Sequence, residues 1–210
     1  MDDFSIRDER IDIALMELKI INKYLGGISA TKSALKYFVG SEQEELKILD
    51  IGSGSSDNLI AAKRKFSNLK IYSIDKNLRA LSNSKNLLKK INSDAFYLPF
   101  KNESCDIVHV ALFLHHFTEE QIHELLKEFM RIAHKGIIIN DLKRSFLALW
   151  GIKILTVLFS KSEMVKNDAP LSVKRGFTKQ EILNHLYDAD ITDFVIKKKW
   201  AFRWMVAIKK

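Results

Sequence analysis

Hydrophobic positions along the chain change period several times. Over residues 6–25, Ile6, Ile13, Leu15, Met16, Leu18, Ile20, Ile21 and Leu25 recur at spacings near three and four among charged residues. This predicts an amphipathic helix ended by Gly26 and Gly27. A shorter helical run over 30–39 leads through Ser41-Glu42-Gln43-Glu44-Glu45 into the apolar run 46–51, read as a buried strand. Strand and helix then alternate: helix over 58–66, strand 70–74, helix 78–88, a short strand end at 91–94, strand 106–112, helix 119–133 and strand 136–140. That alternation predicts a parallel sheet covered by helices on both faces. The last apolar runs, 194–196 and 204–208, are separated by a short connection with no helix and are expected to pair antiparallel. With no repeat or Pro/Gly/Ser linker, residues 1–45 read as a helical cap on one domain spanning 46–210.

Composition narrows the class. Forty-seven per cent of the 210 residues are apolar, with eight Gly and two Pro, so the chain is globular and neither collagen-like nor disordered. Cys105 is the single cysteine, which offers no disulfide framework and makes a reducing, cytoplasmic setting the expectation. The acidic start Met1-Asp2-Asp3-Phe4-Ser5 does not read as a signal peptide.

The longest apolar stretch, 145–160, carries Lys153 near its middle and falls short of the roughly 20 residues that cross a bilayer. Lys143 and Arg144 precede it and Lys161 and Lys166 follow, flanks that suit peripheral contact with an anionic membrane surface. Lining an apolar pocket, or burial against the N-terminal helices or a dimer partner, are the other readings. The net charge of +8 comes from scattered Lys and Arg without aromatic interleaving, so a solvated surface is expected and nucleic acid is not an expected partner.

Candidate chemistry begins where the first strand ends. Ile48-Leu49-Asp50-Ile51-Gly52-Ser53-Gly54-Ser55-Ser56-Asp57 puts two glycines between a strand and a helix, where bare backbone can approach a nucleoside closely. Asp75 closes the next strand and suits both ribose hydroxyls. A diphosphate would want a third glycine and a free helix N-terminus, whereas this loop has Ser56 and an anionic Asp57. Asp50 suits a ligand bearing a cationic amino group and sulfonium, and Asp94 suits an adenine amino group.

Four segments, LDIGSGSSDN (49–58), IYSIDKN (71–77), SDAFYLPF (93–100) and CDIVHVALFLHHF (105–117), stand in an order and spacing that resembles the class I SAM-dependent methyltransferases, specifically the small-molecule methyltransferase type 11 group. The likeness runs over roughly residues 20–210, and Ser56 departs from it where the family usually has glycine. It implies a Rossmann-like α/β fold with a seven-stranded, mostly parallel sheet, a C-terminal antiparallel hairpin and helices on both faces. It implies S-adenosyl-L-methionine as cofactor, with Asp50, Gly52, Ser53, Gly54, Asp75, Lys76, Asp94, Ala95 and Ala111 as its contacts. It also implies a flap that brings Tyr24 to the methionine end, and a substrate-covering helical insertion at about 142–178.

Transfer to a hydroxyl needs a base. His115 and His116 follow the fourth strand, and Asp141 closes the fifth, so a His oriented by Asp is one reading. In the other, one imidazole caps the helix beginning near Thr118 and the second packs against the adenosyl group. His109 is expected to be structural. The Asn/Asp-Pro-Pro-aromatic motif of base-flipping enzymes is missing, and no metal site is expected. The expected activity is O-methylation of a small hydrophobic acceptor such as a polyketide, phenol or quinone-like compound, with C-methylation next. A silent methyltransferase-like binding module and, on charge alone, an RNA methyltransferase are the remaining readings.

Overall fold

The computed structural model describes residues 9–40, 44–82 and 88–210. Seven strands form one sheet: β1 (Leu46–Ile51), β2 (Leu69–Asp75), β3 (Lys89–Asn92), β4 (Cys105–Ala111), β5 (Ala133–Leu142), β6 (Phe194–Lys199) and β7 (Arg203–Lys209). Their order is β3-β2-β1-β4-β5-β7-β6, with β1 to β5 parallel and β7 antiparallel between β5 and β6. The sequence therefore reverses its progress across the sheet between β1 and β4. Ligands of open α/β sheets bind at such a switch point, outside the carboxyl ends of the strands.

The helices are α1 (Glu9–Tyr24), α2 (Gly27–Leu35), α3 (Asp57–Lys63), α4 (Leu78–Ser82), α5 (Glu119–Ile132), α6 (Phe146–Phe159), α7 (Glu163–Arg175) and α8 (Lys179–Asp188). Successive strand side chains alternate between faces, so each central strand feeds two cores. Ile48, Ile107, Ile138 and Met205 pack with α2 and α3 through Ala34, Leu35 and Leu59. Leu49, Val108, Ile137 and Val206 pack with α5 and α8 through Leu125, Phe129 and Leu186. A third cluster, Ala14, Ile152, Val165 and Val173, joins α1, α6 and α7.

Several boundaries differ from the sequence reading, each for a physical reason. The second helix starts at Gly27 because Gly26 adopts φ 79°, a left-handed turn that lets α2 follow α1 at once. β5 extends to both sides of the apolar run 136–140 because β4 and β7 pair with it. The segment after α6 is itself a helix, α7, despite Pro170: the residue forfeits one backbone donor, but it is buried with Val165, Ala169 and Val173 in the face that packs inward. The helix expected over 78–88 is described only as Leu78–Ser82, and residues 83–87 lie outside the described residues. Residues 6–8 of the first expected helix, and Ser41, Glu42 and Gln43 of the polar connection, lie outside them too.

Candidate functional site

The loop after β1 turns by left-handed backbone at Gly52 (φ 62°), Gly54 (φ 50°) and Ser56 (φ 54°). Gly52 is obligatory for space as well, since a Cβ there would lie 2.2 Å from Phe113 Cδ2. Ser56, a non-glycine residue in this region, is held by a 2.6 Å hydrogen bond between its hydroxyl and that of Ser73. Gly54 donates its N–H to Asp75 Oδ2 at 2.8 Å, and Asn77 donates to Asp75 Oδ1 at 2.8 Å. Burial pushes the Asp75 carboxyl above its ordinary range, the N–H donors of Asn77 and Gly54 oppose this, and the Asp50 charge adds to it.

Facing this loop is a cavity of about 640 Å³. Its walls come from residues 52–58, from β4, from the turn after β4, from the C-terminal half of α1, from α6 and α7, and from the β6–β7 connection. Among the expected site residues, Asp50, Gly52, Ser53, Gly54, Ala111, His115 and His116 line it. Asp75 touches the loop through Gly54 and is not on the cavity wall. Lys76, Asp94 and Ala95 lie off the wall as well, with Lys76 and Asp94 paired at 2.8 Å. Partial burial would raise the Asp94 carboxyl, but Lys76 and the Phe96 N–H hold it below its ordinary value.

Tyr24 is displaced from its expected place. It is 66% exposed with the Lys23 ammonium over its ring, whereas Asn22 and Leu25 face the cavity. Adjacent positions near a helix end point in different directions, so a wall built by Asn22 and Leu25 turns Tyr24 outward. Asp50 reaches the cavity but is already engaged: its Oδ1 lies 2.6 Å from His109 Nδ1.

His109 belongs to a network that the sequence did not reveal. Using each hydrogen once, Arg203 donates to Asn140 Oδ1 (3.3 Å), Asn140 Nδ2 to Thr31 Oγ1 (3.1 Å), the Thr31 hydroxyl to His109 Nε2 (3.0 Å), and His109 Nδ1–H to Asp50 (2.6 Å). Arg203 also donates to the Leu25 carbonyl (2.7 Å) and Asn22 Oδ1 (2.6 Å), and Asn140 to the Gly27 carbonyl (2.8 Å). A fully buried guanidinium, pulled down to about 10 by burial against the opposing Asp141 charge, thus ties α1 and α2 to the sheet. The one legible sign was Asn140, a polar residue ending the apolar run GIIIN.

The second buried pair is His115 Nδ1 and Asp141 Oδ1, 2.6 Å apart. Asp141 Oδ2 accepts the N–H groups of Phe113 (3.2 Å) and Leu114 (3.0 Å), and Oδ1 also accepts that of Leu142 (2.7 Å). Burial alone would raise this carboxyl, but His115, the Leu142 N–H and His116 hold it below its ordinary range. His116 is exposed at the rim, its ring 4.2 Å from that of His115. Neither imidazole caps α5: Thr118 does so, in a reciprocal box with Gln121.

Two buried side-chain polar atoms have no hydrogen-bond partner among the described residues, Asn58 Oδ1 and His115 Nε2. Both residues line the cavity. Buried polar atoms are normally satisfied, so two orphans on residues that line the same cavity are where a ligand's donors would fit. Bare glycine backbone and the Asn58 oxygen suit the methionine and nucleoside portions of S-adenosylmethionine, and Gly54 has open space where a side chain would stand.

Residues 49–139 match the family described as methyltransferase domain. A search of curated proteins found no match. Among solved structures, a SAM-dependent methyltransferase from Aquifex aeolicus aligns over 97% of this chain and 99% of its own at 16% identity and a TM-score of 0.66. Magnesium protoporphyrin IX methyltransferase from Synechocystis PCC 6803, solved with bound SAH, aligns over 90% and 87% at 16% identity and 0.60. Human N-acetylserotonin methyltransferase, in complex with SAM, aligns over 96% of this chain and 56% of its own at 18% identity and 0.67. At these identities the likeness is one of fold.

Proposed function

For a chain whose residues 49–139 are a methyltransferase domain of the type 11 group, with S-adenosylmethionine as cofactor, we propose O-methylation of a small hydrophobic acceptor, with His115 as the base. The observation that carries this reading is that His115, a residue lining the cavity, has a buried Nε2 without a hydrogen-bond partner among the described residues while its Nδ1–H is given to Asp141. An ionised Asp141 fixes the tautomer that leaves the Nε2 lone pair free to accept a hydroxyl proton.

When bound, the cofactor would supply a sulfonium methyl group, and His115 Nε2 would hold the proton released by the acceptor hydroxyl. The residues of this chain bind and orient. Gly52 and Gly54 would hold the nucleoside end on a loop that Asp75 fixes through the Gly54 N–H, and Asn58 Oδ1 would accept from the methionine ammonium. Leu147, Ile152 and Leu155 give the acceptor an apolar wall, which suits a phenol, polyketide or quinone-like compound.

The test is methyl transfer from labelled S-adenosylmethionine to a panel of hydrophobic phenols and quinones, with the methylated atom located by NMR. Cofactor affinity is measured in parallel by calorimetry. Asp75→Ala should abolish cofactor binding. His115→Ala should bind cofactor as the parent does and lose turnover at least tenfold. A methyl group found on carbon, or turnover by His115→Ala within tenfold of the parent, overturns the oxygen-directed base reading.

A further inference from the structure

α6 is apolar on more than one side, and among the described residues only its inner side has a protein partner. Ala148, Ile152 and Thr156 are buried, while Phe146, Trp150, Ile154 and Val157, spaced about one turn apart, are each at least 53% exposed. An apolar helix face left in water needs an explanation. No helix among the described residues is long and apolar enough to cross a membrane, so the face is one that lies against something.

Charge says what that something is. From Leu142 to Ser162 the chain contains Lys143, Arg144, Lys153 and Lys161 and no acidic residue. Arg144 is paired with Glu181, but among the described residues Lys143, Lys153 and Lys161 have no carboxylate partner. At the end of α6, the Glu17 carboxylate accepts from the Ser160 hydroxyl and the Lys161 N–H. Lys153 carries its ammonium over the Trp150 ring, 5.7 Å from the centroid. In a symmetric contact between two copies the central Lys153 of each would meet the other's apolar face with no acid on α6 to neutralise it. Against an anionic surface, the same cations and the same apolar ridge act together.

We propose that this face of α6 docks on an anionic lipid bilayer, with the helix axis in the plane of the surface. Leu147 and Gly151 sit on the seam between the exposed face and the cavity, both exposed and both lining it, and Leu171 of α7 does the same across the mouth. Docking would therefore turn the cavity mouth toward the lipid, the phase in which a hydrophobic acceptor is dissolved. The docking rests on α6 itself; only this use of it rests on the function proposed above.

The experiment is co-sedimentation of the full chain with vesicles of phosphatidylcholine alone and of phosphatidylcholine with phosphatidylglycerol at roughly three to one, read beside the mass in solution by light scattering. Binding to the phosphatidylglycerol vesicles, weakened roughly tenfold or more by Phe146→Glu with Val157→Glu and also weakened by Lys153→Glu with Lys161→Glu, is the expected result. Neither pair lines the cavity, and calorimetry of S-adenosylmethionine checks that each variant is folded independently of lipid. Equal binding by parent and variants, or no binding to either vesicle, overturns the proposal. A dimer that Phe146→Glu with Val157→Glu converts to monomer, without vesicle binding, assigns the face to self-association and overturns it too.

Discussion

The imidazole of His115 and the carboxylate of Asp141 meet at 2.6 Å although they leave different strands, and both are buried. Asp141 is also held by three backbone N–H groups, two on Oδ2 and one on Oδ1, so its geometry does not depend on His115 alone. His116 is exposed, and its ring lies against that of His115. His115→Ala is therefore expected to lower kcat by roughly 10²–10⁴-fold and His116→Ala by much less. Steady-state rates at saturating cofactor separate the two.

Asp141 also links stability to pH. Its carboxyl titrates below the ordinary value in the folded chain, so the native state gives up this proton more readily than the unfolded one. The stabilisation is present above the ordinary aspartate range, near 4, and is lost as pH falls through the lower folded value. Asp141→Asn should cost about 1–3 kcal/mol at neutral pH, with the gap to the parent closing in acid. Urea unfolding at stepped pH measures it.

Gly52→Ala places a methyl group on a left-handed backbone and against the Phe113 ring. A loss of about 2 kcal/mol or more is expected, from backbone strain and overpacking together. Adding Phe113→Ala should return the packing part and leave the backbone part, which thermal melts of the two variants resolve.

Arg203→Met removes the donor that holds the Leu25 carbonyl, Asn22 and Asn140. Losing one partner from a buried charged network costs about 3 kcal/mol or more. Because Asn22 and Leu25 belong to the end of α1 and its junction with α2, the expected signature is faster proteolysis near residues 22–27 while the sheet stays intact.

Cys105 is buried at the start of β4, and burial, with the Asp106 charge adding, pushes its thiol up to about 12. The native protein should resist iodoacetamide near pH 8.5 and take up one label only on unfolding, as mass spectrometry would read.

Periodicity determined the elements and the class of sheet, because alternation of apolar runs with turn residues depends on local burial that neighbouring residues impose on one another. The loop Gly52-Ser53-Gly54, the strand-ending Asp75 and the pair His115 and Asp141 were legible for the same reason: each is set by its place at the end of a strand. α7 falls within the helical insertion expected over about 142–178, but Pro170 obscured its bounds; the local penalty of that residue is outweighed by burial of the helix against α1 and α6. The outward turn of Tyr24 could not be read, and of the chain of donors from Arg203 through Asn140, Thr31 and His109 to Asp50 only Asn140 gave a sign. The members of that chain are scattered between positions 31 and 203, and none of them carries a local mark of the others. Only the packing of β7 beside β5, under α1 and α2, brings them within hydrogen-bonding distance, and the cost of leaving a buried polar group unpaired is what makes their arrangement specific.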